Sequence, residues 1–220
     1  MLRKKSVEKS LWNILINLNK NSIFNDYNLV GGTALSLQIG HRMSDDIDLF
    51  TDKKFDKFKI LDYFNKNYRG FEIGNESDIF LNIFVDNNKI DFLKYDYPLL
   101  EKPKIEEGVR FMGIKDISAM KLSAIAGSGD RPKDFIDIYY LIKYNNVKLS
   151  DMFNYYKEKF NQKDISHVKR SISYFGDCEE KEWAKVKLIT DTLDVNEIKN
   201  FLTKEVDNYC NDNIKYKPKK

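Results

Sequence analysis

The hydrophobic pattern along the chain divides into a mixed first half and a helical second half. Over residues 6–20, Leu11, Leu15 and Leu18 fall on one helical face, which predicts an N-terminal helix. Asn28, Leu29 and Val30 read as the end of a short strand running into Gly31-Gly32. Thr33 stands where a helix N-cap belongs, and Ala34 to Ile39 give about two helical turns before Gly40 closes them. In Asp46-Ile47-Asp48-Leu49-Phe50 the period falls to two, with the acids on one face and Ile47 and Leu49 on the other.

Phe55, Phe58, Leu61 and Phe64 then repeat at helical spacing through Asn67, and Phe71 to Ile73 predict a short strand. Asp78–Val85 and Lys89–Tyr95 predict a hairpin joined by Asp86-Asn87-Asn88, and Val109–Gly113 a further strand. After Ile114 the pattern stays helical. Asp116 is the expected cap of the next helix, Ile117, Met120, Ala124 and Ile125 its buried stripe, and Gly127 its end. Pro132 suits the first position of the following helix, and four more helices are expected at about 150–160, 164–174, 181–190 and 194–210.

These elements predict an α+β chain. A mixed β-sheet lobe with flanking helices spans about residues 1–113, and an all-helical C-terminal lobe spans 114–220. Tyr97–Glu107, with Pro98 and Pro103, is the expected hinge. At 220 residues the chain is long enough for one full core or two small lobes. A charged fraction of 32% and a hydrophobic fraction of 42% are ordinary for a globular protein.

The net charge of +3 is compatible with an RNA or nucleotide partner without pointing to one. Lys215, Lys217, Lys219 and Lys220 form a basic tail, which most often is only a solvated end. Cys178 and Cys210 lack the spacing of a zinc site or a disulfide framework, and no stretch is long and apolar enough to span a bilayer or serve as a signal peptide. A cytoplasmic location is expected. His167 has no ligand-spaced companion and reads as a surface residue; Trp183 reads as core or surface packing rather than as a base-stacking platform.

The chemistry concentrates between Leu29 and Phe50. A glycine turn that opens a helix presents unpaired N–H groups and the positive end of the helix dipole, which suits a phosphate. Asp46 and Asp48 lie roughly 6–7 Å apart along one strand face, close enough to converge on a hard cation. Alone, a Gly-Gly pair is usually a turn and an Asp-x-Asp usually solvated charge; together, in this order, they suit metal-assisted phosphoryl or nucleotidyl transfer. Asp91 is an acid in an otherwise apolar strand, which spacing alone leaves open to a surface position.

Lys121 falls inside a buried stripe, where it either snorkels to water or reaches a phosphate. Asp134 sits in the first turn of its helix, where satisfying the dipole explains it well; Asp137 sits deeper, where a charge needs a partner. The absence of GxxxxGK[ST] and GxGxxG sets aside P-loop and Rossmann nucleotide binders.

GGTALSLQIGHRMSDDIDLF resembles the signature of the AbiEii/AbiGii-type nucleotidyltransferases, within the DNA polymerase β-like superfamily. KLSAIAGSGDRPKDFIDIYYL resembles that family's second motif region. The resemblance covers about half of the chain. It implies transfer of a nucleoside monophosphate from an NTP to an acceptor hydroxyl. Asp46, Asp48 and Asp91 would hold Mg²⁺ or Mn²⁺, and Lys121 and Asp137 would join them as catalytic residues.

Nucleotide contacts are implied for Gly31, Gly32, Thr33, His41, Arg42, Ser44, Arg131, Lys133 and Asp134. The helical lobe would close over the acids and present Lys121, Lys133, Asp134 and Asp137 to them. The resemblance also implies the toxin of a type IV toxin–antitoxin or abortive-infection pair, with tRNA as acceptor and a cognate antitoxin that need not touch it. The alternatives are transfer to a small molecule such as an antibiotic, or a silent fold kept as an RNA- or protein-binding module.

Overall fold

In the computed structural model, which describes residues 1–189 and 192–215, the chain divides into two units, Met1–Ile114 and Lys115–Lys220. The elements of the first are α1 (Lys9–Lys20), β1 (Asn28–Val30), α2 (Gly31–Ile39), β2 (Asp46–Thr51), α3 (Lys57–Asn67), β3 (Glu72–Glu76), β4 (Phe80–Val85), β5 (Asn88–Lys94), β6 (Lys104–Glu106) and β7 (Val109–Phe111). Its described residues build one seven-stranded mixed sheet in the order β3-β4-β5-β2-β1-β7-β6. β2 runs parallel to β5 and antiparallel to β1, so the two acid-bearing strands are neighbours at its centre.

Alternation decides what each face carries. Ile47 and Leu49 of β2, Leu81 and Ile83 of β4, and Ile90 and Phe92 of β5 are paired across the sheet and buried. Phe92 packs there against Phe24 (5.6 Å between centroids), Tyr27 (5.7 Å) and Phe64 (6.1 Å). Burial of each such side chain contributes about 1.5–3 kcal/mol. It also pushes the Tyr27 phenol up to about 12, with Asp56 and Asp26 adding to the effect. The opposite face takes the alternate residues of these strands, and these carry the acids.

Several local expectations shift. Phe58 is 79% exposed, and the buried face of α3 is Ile60, Tyr63 and Phe64. The helix starts at Lys57, where Asp56 accepts a capping bond from Lys59 N (3.2 Å), so the stripe is set from there and not from Phe55. The hairpin turn needs only Asp86 (φ 49°) and Asn87 (φ 62°), a two-residue loop with both φ positive; Asn88 is already strand.

The expected hinge is partly sheet. β6 pairs with β7 across Glu107 (φ 50°) and Gly108 (φ 82°), and Glu107 accepts from Leu2 N (2.9 Å) and pairs with Lys4 (2.5 Å). β6 escaped the sequence reading because Lys-Ile-Glu shows no alternation long enough to register.

The second unit contains α4 (Ile114–Gly127), α5 (Pro132–Asn145), α6 (Leu149–Phe160), α7 (Ser166–Ile172), α8 (Glu180–Ala184) and α9 (Val195–Lys215). Pro132 opens α5, and nine of the ten residues from Pro132 to Leu141 are buried. α9 packs against α5, α6 and α7. Left-handed asparagines end α5 and α6, at Asn146 (φ 55°) and Asn161 (φ 50°).

Asp116 is not a cap. It lies in the first turn of α4, fully buried, and accepts from Lys159 Nζ at 2.7 Å. Met120 and Ala124 are only half-buried, and Ser118, Ala119 and Leu122 fill the buried face with Ile117 and Ile125. Trp183 is core, tilted against Phe135 at 6.2 Å, and His167 is exposed. Lys217, Lys219 and Lys220 of the basic tail lie outside the described residues. No helix among the described residues is long and apolar enough to cross a membrane.

Candidate active site

The glycine turn is fixed by what touches it. Gly31 has φ +67°, and a Cβ there would lie 2.3 Å from Asp48 Oδ2. The first N–H groups of α2, which have no intrahelical acceptor, therefore begin beside the Asp48 carboxylate. A Cβ on Gly32 would meet Arg42 Nη2 at 2.4 Å. Arg42 is buried and donates through Nη1 to the Met43 carbonyl (2.9 Å), so its guanidinium lies against the back of the turn.

Thr33 does not cap α2; Val30 holds the N-cap position. The Thr33 hydroxyl instead hydrogen bonds with Ser44 Oγ (2.9 Å) and donates to the Asp46 carbonyl, tying the helix to the first residue of β2. His41 and Ser44 are buried with Arg42. Of the nucleotide contacts expected in this unit, Gly31, Gly32, Thr33, Arg42 and Ser44 thus join in one knot that sets where β2 begins.

The acids come together through strand register. In the parallel β2–β5 pair Asp48 stands opposite Asp91 and Asp46 opposite Lys89, on the face away from the aromatic core. Neighbouring strands are about 4.8 Å apart, so Asp48 and Asp91 face the same small volume. Asn82 of β4 pairs with Asp91 from the other side, and its Nδ2 donates to Asp91 Oδ1 at 2.6 Å. Lys89 Nζ donates to Asp91 Oδ2 at 2.6 Å. Desolvation pulls the Lys89 pKa down. The hydrogen bond to Asp91 and the fields of Asp91, Asp46 and Asp48 outweigh it and hold the ammonium above the ordinary lysine value.

Among the described residues no three His, Cys, Asp or Glu side chains form a ready-made metal cage. Mg²⁺ does not require one: it takes one or two carboxylates and completes its shell with water and substrate phosphates. Hard oxygen donors on adjacent strands, beside a helix N-terminus suited to phosphate and already holding one ammonium, fit a divalent ion carried in with a triphosphate.

The second motif region forms its own cluster. Lys121 Nζ lies 2.6 Å from both Asp134 Oδ1 and Asp137 Oδ2. Arg131 reaches Asp134 Oδ2 through Nε (2.8 Å) and Nη2 (2.6 Å). Lys121, Asp134 and Asp137 are buried, and Lys133 is half-buried in the first turn of α5. Lys121 therefore does not snorkel, Asp134 has ion partners beyond the helix dipole, and Asp137 has the partner its depth requires.

Sequence reading passed over Asn82, Lys89 and the Asp116–Lys159 pair. The signal for the first two was present. Asn82 is the one polar residue in FLNIFV, and Lys89 shares the face of Asp91 by simple alternation. Gly74 also belongs here, since a Cβ on it would meet Asn82 Oδ1 at 2.1 Å.

Comparison with known proteins identifies the family and the fold. An uncharacterised protein of Aquifex aeolicus is 35% identical over 191 residues, spanning 85% of this chain and 89% of its own length. Two Helicobacter pylori structures share the fold at 19% identity. One, described as a candidate nucleotidyltransferase, has a TM-score of 0.61 over 96% of both chains; JHP933 has 0.58 over 92% of both. The family described as nucleotidyl transferase AbiEii toxin, type IV toxin–antitoxin system, matches residues 14–208, and the chain belongs to that nucleotidyltransferase family.

Proposed function

We propose that this nucleotidyltransferase moves a nucleoside monophosphate from an NTP to a hydroxyl of an RNA acceptor, tRNA above all, with the α–β phosphoanhydride bond broken and pyrophosphate released. In this reading it acts as the toxin of a type IV toxin–antitoxin pair. The observation that carries the chemistry is the register of β2 and β5, which sets Asp48 beside Asp91 with Asp46 on the same face and Gly31 against Asp48. The family's own description supports the toxin role and an antitoxin encoded with it.

Asp46 and Asp48, with Asp91, would hold a divalent ion, Mg²⁺ or Mn²⁺, together with the triphosphate. When bound, that ion supplies charge neutralisation at the phosphates and lowers the pKa of an oxygen nucleophile. The α2 N-terminus at Gly31 and Gly32 faces phosphate oxygens with backbone N–H groups. Thr33 and Ser44 keep Asp46 in place through the Asp46 carbonyl. Asp91, held by Asn82, would also accept the proton of the acceptor hydroxyl once the substrate brings it within reach.

In the second unit Asp134 and Asp137 hold Lys121 in one position, and Arg131 and Lys133 at the start of α5 are read as nucleotide contacts.

Label transfer tests this directly. The protein is incubated with each α-labelled NTP, Mg²⁺ or Mn²⁺, and total cellular RNA, protein or an aminoglycoside in parallel. Label entering RNA of tRNA size, and lost on chelation of the metal, is the expected result. Label appearing only in the antibiotic, or transfer undiminished by chelation, would contradict the reading.

A further inference from the structure

Lys89 sits two residues before Asp91 on the acid-bearing face of β5, opposite Asp46 in register. Its ammonium contacts Asp91 Oδ2 at 2.6 Å, and the fields of Asp46 and Asp48 reach it. Its side chain is 40% exposed, whereas that of Asp91 is 13% exposed. The lysine thus has a wider outlet to water than the carboxylate. The other Asp91 oxygen is held separately by Asn82 from β4, at a spot where only a glycine, Gly74, fits alongside on β3. The two donors differ in kind. Asn82 is short, 4% exposed and on a rigid strand, so it fixes the carboxylate plane. Lys89 has a long stem with many rotamers and a charge that water can take back.

We propose that Lys89 is a built-in counter-ion of the acid face, occupying a cation position that a divalent ion must take over, with Asn82 keeping Asp91 oriented through the exchange. This rests on the acid face being the metal-binding site. Carboxylates gathered on adjacent strands repel, and an internal ammonium offsets that repulsion without metal. The same ammonium competes with the incoming ion, so Lys89 raises the metal concentration at which the site fills. Lys89 is in this sense a positioning residue that sets a threshold.

The test is Mn²⁺ binding to the full-length protein, followed by electron paramagnetic resonance, with thermal melts of the same samples. Lys89→Met and Lys89→Gln should bind Mn²⁺ about three- to tenfold more tightly than wild type. Their metal-free melting points should fall and be recovered by Mn²⁺. Lys89→Arg, which keeps the charge, should bind no more tightly than wild type. A purely structural lysine would lower the melting point and leave Mn²⁺ affinity unchanged, and that result overturns the proposal.

Weaker Mn²⁺ binding in Lys89→Met also overturns it, because the ammonium would then be assisting the ion. Equal Mn²⁺ affinities with intact label transfer by wild type defeat the Lys89 inference alone. Loss of any Asp48-dependent Mn²⁺ binding in both proteins defeats it together with the reading beneath it.

Discussion

Two clusters of lysine and aspartate lie in this chain, one in each unit, and they are built to opposite ends. On the acid face, Lys89 and Asp91 remain 40% and 13% exposed, and the other acids are half-buried at the edge of solvent. Around α4 and α5, the Lys121, Asp134 and Asp137 side chains are 5%, 2% and 0% exposed, and the nearby Lys159–Asp116 pair is wholly buried. Residue type therefore does not separate charge free to exchange partners from charge locked in place. Access does. An ion pair at the water boundary contributes about 0–1 kcal/mol and exchanges partners readily. A buried pair is held because losing one member strands the other in a medium that cannot solvate it.

The comparison breaks most visibly at Lys159. Lys159→Met should destabilise the protein by about 3–5 kcal/mol in urea unfolding, because Asp116 would lose its buried counter-ion. The double variant Lys159→Met, Asp116→Leu should recover most of that. If the single variant loses under about 1 kcal/mol, the pair is not locked in place by its burial.

Thr33→Val tests the tie between the two kinds of structure. Its hydroxyl joins α2 to the first residue of the acid strand, so its loss should cost about 1–3 kcal/mol in stability. It should also lower transfer more than Thr33→Ser, which retains the bond. A finer probe is thiol alkylation. Burial, with Asp130 and other nearby carboxylates adding to it, pushes the Cys178 thiol up to about 11, while its Sγ donates to the Gly129 carbonyl at 3.1 Å. Native protein at neutral pH should therefore be alkylated at Cys210 well before Cys178, read by peptide mass mapping.

What the sequence made legible follows the same division. The acid face was readable because a strand's period of two places Asp46 and Asp48 together, and the Gly-Gly turn announces a close approach that the structure shows as Asp48 against Gly31. The partner strand was readable too, since Asp91 interrupts an apolar run. The register that sets Asp91 opposite Asp48, and that brings in Asn82, is a long-range property that no local pattern carries.

Three residues apart, Asp134 and Asp137 fall on one helix face, but no local spacing carries the fact that Lys121 from a different helix bridges them. Asp116 misled for a related reason. A first-turn aspartate looks like a cap whatever lies 43 residues further on, and Lys159 is what lies there. Phe58 misled because a run of aromatics at helical spacing was counted from Phe55, two residues before the helix begins.

The central claim is that the carboxylates on β2 and β5 are the chemical centre, and Asp48→Asn tests it most directly. The substitution keeps the shape of the side chain beside Gly31 and removes its charge. Transfer of label from an α-labelled NTP should fall by more than about a hundredfold, since even groups that only support a metal ligand are worth 10–100-fold. The melting point should stay near that of wild type. A well-folded Asp48→Asn protein that transfers label at the wild-type rate would contradict the account.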